Sequence, residues 1–238
     1  MRPLHVRGVG VWQPTPKSPE PSCADVPSRL LRGTSLVTRV AIEVTAQAAR
    51  EGGASLADVP TVFASELGEV QTAVTLLAMI RAEGIPSPMR FKNSVHNTAS
   101  GTASIAWQNT RFSTAISAGP DLVAMGLLEA WAGIDLHGGD VVVSFAEEDI
   151  PAPLPHQATY PALGVAFHLS TRPGGAHPVT LSGLRLDASV PAATYPAGHA
   201  GDACAVALAL LDAITSRRAG AVSLSLDPSS PWCVDVGA

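Results

Sequence analysis

The chain has 238 residues, 46% hydrophobic and 15% charged, a composition that excludes disorder and supplies a sizeable core. Its formal charge of −5, from 15 Lys and Arg against 20 Asp and Glu, excludes a nucleic-acid footprint and offers acidic carrier proteins little general attraction. No apolar run approaches the roughly 18 residues of a membrane helix, so the mean hydropathy of +0.24 points to a deep α/β core together with a partner-facing surface.

The first residues, MRPLHVRGVGVW, lack a signal peptide's apolar core, and Leu4, Val6, Gly8, Val9 and Val11 alternate as a strand. Gln13 to Arg32 carries five prolines and reads as an extended surface segment. Thr34 or Ser35 caps a predicted helix through Leu36, Val37, Val40, Ala41, Val44 and Ala48, which stops near Gly52 and Gly53. Thr61 to Ala64 is a short strand, and Glu66 to Arg81 a second helix broken by Gly84 and Pro86. Next comes a polar loop holding His96 and Asn97. The helix after it carries Ala99, Gly101, Ala103 and Ala106, a small-residue face suited to close packing.

Phe112 to Ser117 alternates as a buried strand. It ends in the turn Ser117, Ala118, Gly119, Pro120, Asp121, and helical spacing follows at Leu122, Val123, Met125, Leu127 and Leu128. A strand, tight turn and buried helix is where several α/β enzymes present a reactive Ser or Cys. Here the turn holds no cysteine. Ser117 lacks a GxSxG frame, Asp121 reads as a helix cap, and Glu129 and Asp135 solvate the helix's outer side.

Asp140 to Ala146, DVVVSFA, is a central strand on composition. Glu147 to Tyr160 reads as an acidic, proline-rich loop, with residues 148–161 the only internal boundary. Gly164 to Ser170, Val179 to Leu186, Ala221 to Leu226 and Cys233 to Val236 are further strands, and Ala200 to Arg217 a helix. Strands alternating with helices predict an α/β layered sheet.

Cys23, Cys204 and Cys233 form no CxxC pair, so no disulfide framework or zinc site is predicted and a cytosolic protein is the simplest reading. His156, His168, His177 and His199 show neither HxxE nor HxH spacing, so no metal is predicted. His199 precedes an apolar helix with no catalytic motif around it, and Cys204 reads as a buried small hydrophobe. RGVGVW and TASGTAS match no phosphate cradle, so no cofactor is predicted either.

Ser87-Pro88, SVHNTASGTASIA, STAIS, AGPD, LVAMGLLEA and GGDVVVSFAEE occur in an order that resembles the N-terminal half of a β-ketoacyl synthase, over roughly Ser35 to Ser170. The resemblance implies the thiolase fold, in which two α/β halves stack as α-β-α-β-α layers. This chain would be mainly the first half, a single domain 1–238 with a synthase-like core 1–170 and a reduced part 171–238. In the family the elbow strand ends in the cysteine that carries the acyl chain. The matching position here is Ala118 or Gly119, and neither can be acylated.

The short length and the HNTASG-to-SAG arrangement resemble the small synthase-like proteins of aryl polyene and type II polyketide-like pathways, among them the chain-length factors, which pair with a catalytic synthase. The resemblance implies a heterodimer with such a synthase, in fatty-acid-like, polyketide or aryl polyene elongation, meeting acyl carrier protein through the complex. It places the strand matching STAIS at the dimer interface, so His96, Asn97, Arg111, Phe112, Ser113, Ser117, Pro120 and Asp121 are interface or pocket candidates. One half of a layered fold also leaves a sheet face and a small-residue helix uncovered, which argues independently for a partner. Two other readings stand beside this one. One is an acyltransferase or atypical synthase using Ser117, and the other a homodimer formed through the same strand.

Overall fold

The computed structural model describes residues 1–152, 154, 160–193 and 196–237. The alternating residues of Leu4–Trp12 (β1) bury every second side chain, as the period-2 pattern requires. After a proline-rich stretch and a short helix at Ser28–Leu31 (α1), the helix Leu36–Glu51 (α2) begins where the Ser35 hydroxyl accepts the Thr38 amide. It ends at Gly52.

Thr61–Ala64 (β2) leads to Val70–Glu83 (α3), a turn later than the sequence pattern places it, because Ser65 to Glu69 is occupied with side-chain bonds. Pro88–Lys92 (α4) and Thr98–Trp107 (α5) precede Ser113–Ile116 (β3), the turn Gly119–Asp121 and Leu122–His137 (α6). Asp140–Glu147 (β4), Leu163–Ser170 (β5) and Thr180–Leu186 (β6) follow. Val206–Thr215 (α7), Gly220–Ser223 (β7) and Trp232–Gly237 (β8) close the chain's order. The helix expected over Ala200 to Arg217 is thus shorter; its first residues form a 3-10 turn, Ala203–Ala205, fixed by Asp202.

One sheet runs β3-β2-β4-β5-β1-β6-β8-β7. β3, β2 and β4 are parallel and every other pairing is antiparallel. Residues 171–238 therefore add β6, β8 and β7 to the same sheet rather than stacking a second one on it. The proline-rich boundary expected around 148–161 lies between β4 and β5, which pair along their whole lengths, and its residues 153 and 155–159 fall outside the described residues. So does His156.

Both faces of the central strands are covered. Val141, Val143 and Phe145 join Leu163, Val165 and Phe167 beneath α6 and α7, while Val142, Ala146 and Ala166 meet α2 and α5 on the opposite side. This corrects the expectation of an uncovered sheet face: the helices of this chain close both sides. The small-residue face of α5 is only partly used. Ala99 and Ala103 are buried, but Gly101 faces open space.

RGVGVW has a packing explanation. A Cβ on Gly8 would lie 2.4 Å from the Ala48 carbonyl oxygen, and one on Gly10 would lie 2.2 Å from that of Val44. The two glycines let α2 rest directly on β1.

Candidate functional site

The carboxyl ends of the parallel strands are where open α/β sheets gather their functional groups. Here they meet at Ser65, the residue after β2. Its amide donates to the Ile116 carbonyl at the end of β3 (3.1 Å), and its carbonyl lies 2.9 Å from His96 Nε2. Its hydroxyl donates to Glu147 Oε1 at 3.0 Å and accepts the Gly68 amide at 2.8 Å.

Glu147, the last residue of β4, is fully buried. It also accepts the Glu66 amide, and the Leu67 amide at 3.4 Å. Burial pushes its carboxyl up to about 8, with the charge of Asp202 adding and the Glu66 and Ser65 donors opposing. Glu148 beside it accepts from the second residue of two helices, Val37 of α2 at 3.1 Å and Gln71 of α3 at 3.3 Å. Both helix N-termini favour its negative charge, yet burial still raises it to about 7.

Glu69 holds Ser35, Thr38 and Thr72 hydroxyls and is raised by burial too. Asp202 is buried against His199 Nδ1 (3.1 Å) and the Cys204 amide (2.9 Å), and desolvation raises it as well. Burial likewise pushes up the phenol of Tyr160. Glu147 corrects its reading as the first residue of a loop, since it is the last residue of β4, and both it and Glu148 are buried. The apolar run DVVVSFA continues into the two carboxylates without a Gly or Pro, and that missing break was the available signal.

The elbow has the predicted strand, turn and helix, with Gly119 at φ +52°, a conformation that suits glycine. A Cβ there would meet open space. Ser117 is exposed, and its Oγ donates to the Glu66 carbonyl at 2.8 Å. Among the described residues no histidine or carboxylate side chain is hydrogen-bonded to it, so none is placed to act as its general base. The three thiols are buried, and the turn that holds Cys204, Ala203–Ala205, lies against the elbow turn. Burial raises Cys23 to about 12 and raises Cys204 as well, which makes both poor nucleophiles.

Asp121 does not cap α6. No side-chain capping bond forms; instead its two oxygens accept the hydroxyls of Ser225 (3.1 Å) and Ser230 (2.9 Å). The carboxylate ties the segment between β7 and β8 to the elbow. Asp121→Ala should cost about 1–2 kcal/mol and raise amide exchange over residues 225–230 with little change in β4. Equal exchange in the two proteins there would refute the tether.

The remaining candidates lie apart. Ser113 shares a hydroxyl contact of 2.9 Å with Thr61 across the β2–β3 ladder. Arg111 and Phe112 sit at the amino end of β3, in a cleft of ≈ 910 Å³ shared with Asp58, His137, Asp140 and Arg172. Phe112 packs on His137 with ring centroids 5.0 Å apart. Ser117, Pro120 and Asp121 stand at the opposite end of the strand. Asn97 is exposed at the start of α5, where its carbonyl accepts the Gly101 amide. His168 is buried within the sheet and held neutral, lowered to about 4 by desolvation. Among the described residues no cluster of His, Cys, Asp and Glu could hold a metal ion, and no helix is long and apolar enough to cross a membrane.

Residues 10–232 match the family described as Beta-ketoacyl synthase, N-terminal domain. No curated protein matches the chain. Among solved structures, a ketosynthase in complex with its chain length factor from Xenorhabdus doucetiae is similar, with 19% identity, a TM-score of 0.71 and coverage of 100% of both chains. The ishigamide ketosynthase/chain length factor matches at 12% identity and a TM-score of 0.57, over 90% of this chain and 73% of that one. A type II polyketide acyl-carrier protein in complex with its ketosynthase matches at 12% identity and a TM-score of 0.58, over 78% and 69%. At these identities the likeness is one of fold.

Proposed function

We propose, from the premise that this chain belongs to the β-ketoacyl synthase N-terminal domain family, that it is a non-acylating subunit of a chain-elongating synthase, a chain-length factor in role. The carrying observation is the elbow. The turn is built and oriented, but Ala118, Gly119 and Pro120 offer no nucleophile, Ser117 has no base among the described residues, and Cys204, whose turn lies against the elbow, is a buried thiol that desolvation keeps protonated. Ala118 or Gly119 stands where the family's cysteine would be.

The partner is a catalytic β-ketoacyl synthase. β3 ends the sheet with its outer side unpaired, and all four of its residues are half-buried rather than charged or bulged, so it is not protected against pairing. Addition of a partner's strand there would continue the sheet across the interface, beside α5, which packs next to β3. The similar folds in two ketosynthase–chain length factor complexes support this reading. We take the pathway class to be polyketide-, aryl polyene- or fatty-acid-like elongation in the cytoplasm, with acyl carrier protein reaching the complex.

The test is co-expression with a complete synthase, a tag on one chain only, then size exclusion and incubation with a mass-tagged acyl thioester. The expected result is a one-to-one complex in which the label appears on the synthase alone. A covalent acyl adduct on this chain, above all at Ser117, would overturn the proposal; so would failure to co-purify with the chain folded by itself.

A further inference from the structure

Buried polar groups in folded proteins are hydrogen-bonded, and an exception calls for a physical reason. His168, on β5, is 1% exposed, and among the described residues neither of its ring nitrogens has a partner. A neutral imidazole keeps one N–H, so the ring holds a buried donor with nothing to donate to. Asp140, the first residue of β4, has the matching defect. Its Oδ1 is buried and unpartnered, while its Oδ2 accepts Arg172 Nη2 at 2.6 Å and lies 4.0 Å from His168 Nε2. That last gap is about 1 Å beyond a hydrogen bond.

Each element packed on the ring brings its own charges. Arg7 on β1 and Arg172 after β5 are cations that oppose an imidazolium, and Asp140 on β4 favours one. His5, also on β1, lies opposite Ser170. The end of α2 rests on Nδ1, so closely that a Cβ on Gly52 would come within 1.9 Å of it, and the free carbonyls of a helix C-terminus favour a cation. The charged residues there are already engaged, Arg50 with Asp25 and Glu51 with His177 at 3.3 Å. Asp140 is therefore the carboxylate one small movement away from His168.

We propose that Asp140 is a switching carboxylate: it holds Arg172 while His168 is neutral, and swings onto His168 Nε2 when the ring takes a proton from solvent, releasing Arg172. In the second state Nε2–H donates to Asp140 and Nδ1–H faces the end of α2, so both orphaned nitrogens are used. The two moves reinforce each other, because the departing guanidinium is one of the two cations that oppose the charged ring. Arg172 opens the strap 171–177, which turns through Gly174 and Gly175 at φ +104° and +110° and is fastened again by the Ala176 amide on the Arg7 carbonyl at 3.0 Å. Without the ion pair its first residues keep only the Thr171 amide on the Gly139 carbonyl (3.2 Å) and the Arg172 amide on Ser170 Oγ (3.0 Å). Asp140 and Arg172 also line the ≈ 910 Å³ cleft at the amino end of β3. The swap thus replaces an ion pair in its wall by a free cation. Burial holds the ring neutral down to about 4, so the device answers to acid.

The experiment follows the full chain, nitrogen-15 labelled at histidine and arginine, by NMR from about pH 7 to about 3.5. The expected result is that the His168 ring nitrogens pass from one neutral tautomer to the imidazolium, and that the order parameter of Arg172 Nε falls below about 0.6 with the same midpoint. In His168→Asn the side chain at this position cannot charge, and Arg172 should stay ordered throughout. Release of Arg172 at the same pH in that variant would mean that protonation of Asp140 alone frees it, and would overturn the proposal. A wild-type chain in which His168 charges while Arg172 stays ordered overturns it without any variant. Loss of far-UV circular dichroism at the same midpoint, which would make the release part of global unfolding, does so too.

Discussion

Gly10→Ala is expected to destabilise the fold by about 3 kcal/mol or more, and to lower Tm by roughly 6–12 °C for a chain of this size. The added methyl would sit 2.2 Å from the Val44 carbonyl oxygen and 3.1 Å from the Ala48 amide nitrogen, both backbone atoms of α2. A flexible side chain could swing away; a helix cannot. The helix must lift from β1, and it also packs on β4 and β5, so the whole face that includes Val40, Val44 and Ala48 loosens. Gly101→Ala is the control. That glycine is inside α5 with nothing near the new methyl, so the change should stabilise the protein by about 0.5–1 kcal/mol. Urea denaturation of both variants checks the pair, and opposite signs are the expected outcome. Equal small losses would mean that α2 does not lie on β1 as described.

A second large effect is expected from pH. Glu147 and Glu148 have carboxyls raised above their unfolded value of 4.5, to about 8 and about 7. The folded state therefore holds protons that the unfolded state releases. Their contribution to stability is complete below pH 4.5 and is lost as pH rises through the folded values. His168 runs the other way: lowered from 6.5 to about 4, it weakens the fold as pH falls through that interval. The two trends oppose each other between 4.5 and 6.5. Above 6.5 only the carboxylates act, so unfolding free energy should decline from pH 6.5 to 8 by on the order of 2–4 kcal/mol. Glu147→Gln should flatten most of that decline, although it presents an amide to the three donors around Glu147 and lowers stability at pH 5. A wild-type curve flat from 6.5 to 8 would show that the surrounding donors keep both groups ionised.

The strands and helices were legible because each carries its own period. Leu4 to Trp12 alternates, Leu36 to Ala48 repeats at helical spacing, and Ser35 and Gly52 mark the ends of that helix. The elbow was legible for the same reason: Gly119 and Pro120 interrupt two clean patterns. The burial of Glu147 and Glu148 is not legible in the sequence, because a carboxylate reports its burial only through what surrounds it. The donors that hold them, Ser65, the Glu66 amide, the Val37 amide and the Gln71 amide, come from three distant segments. Asp121 failed in the same way. Next to a helix start it reads as a cap, but Ser225 and Ser230, more than a hundred positions on, claim its oxygens first.

The sheet order has a kinetic consequence. β5 and β6 are not paired with each other; β1 lies between them and is their only link in the ladder, and toward β6 it pairs through just Leu4 and His5. The sheet is thus two sub-sheets joined by a strand whose residues pair more than 150 positions further along the chain. During synthesis β1 must wait, apolar and unpaired, until the residues of β5 have left the ribosome. Such long-range closure is slow and leaves a sticky segment open meanwhile. Production of this protein should therefore respond more to chaperone supply and growth temperature than to substitutions on its surface.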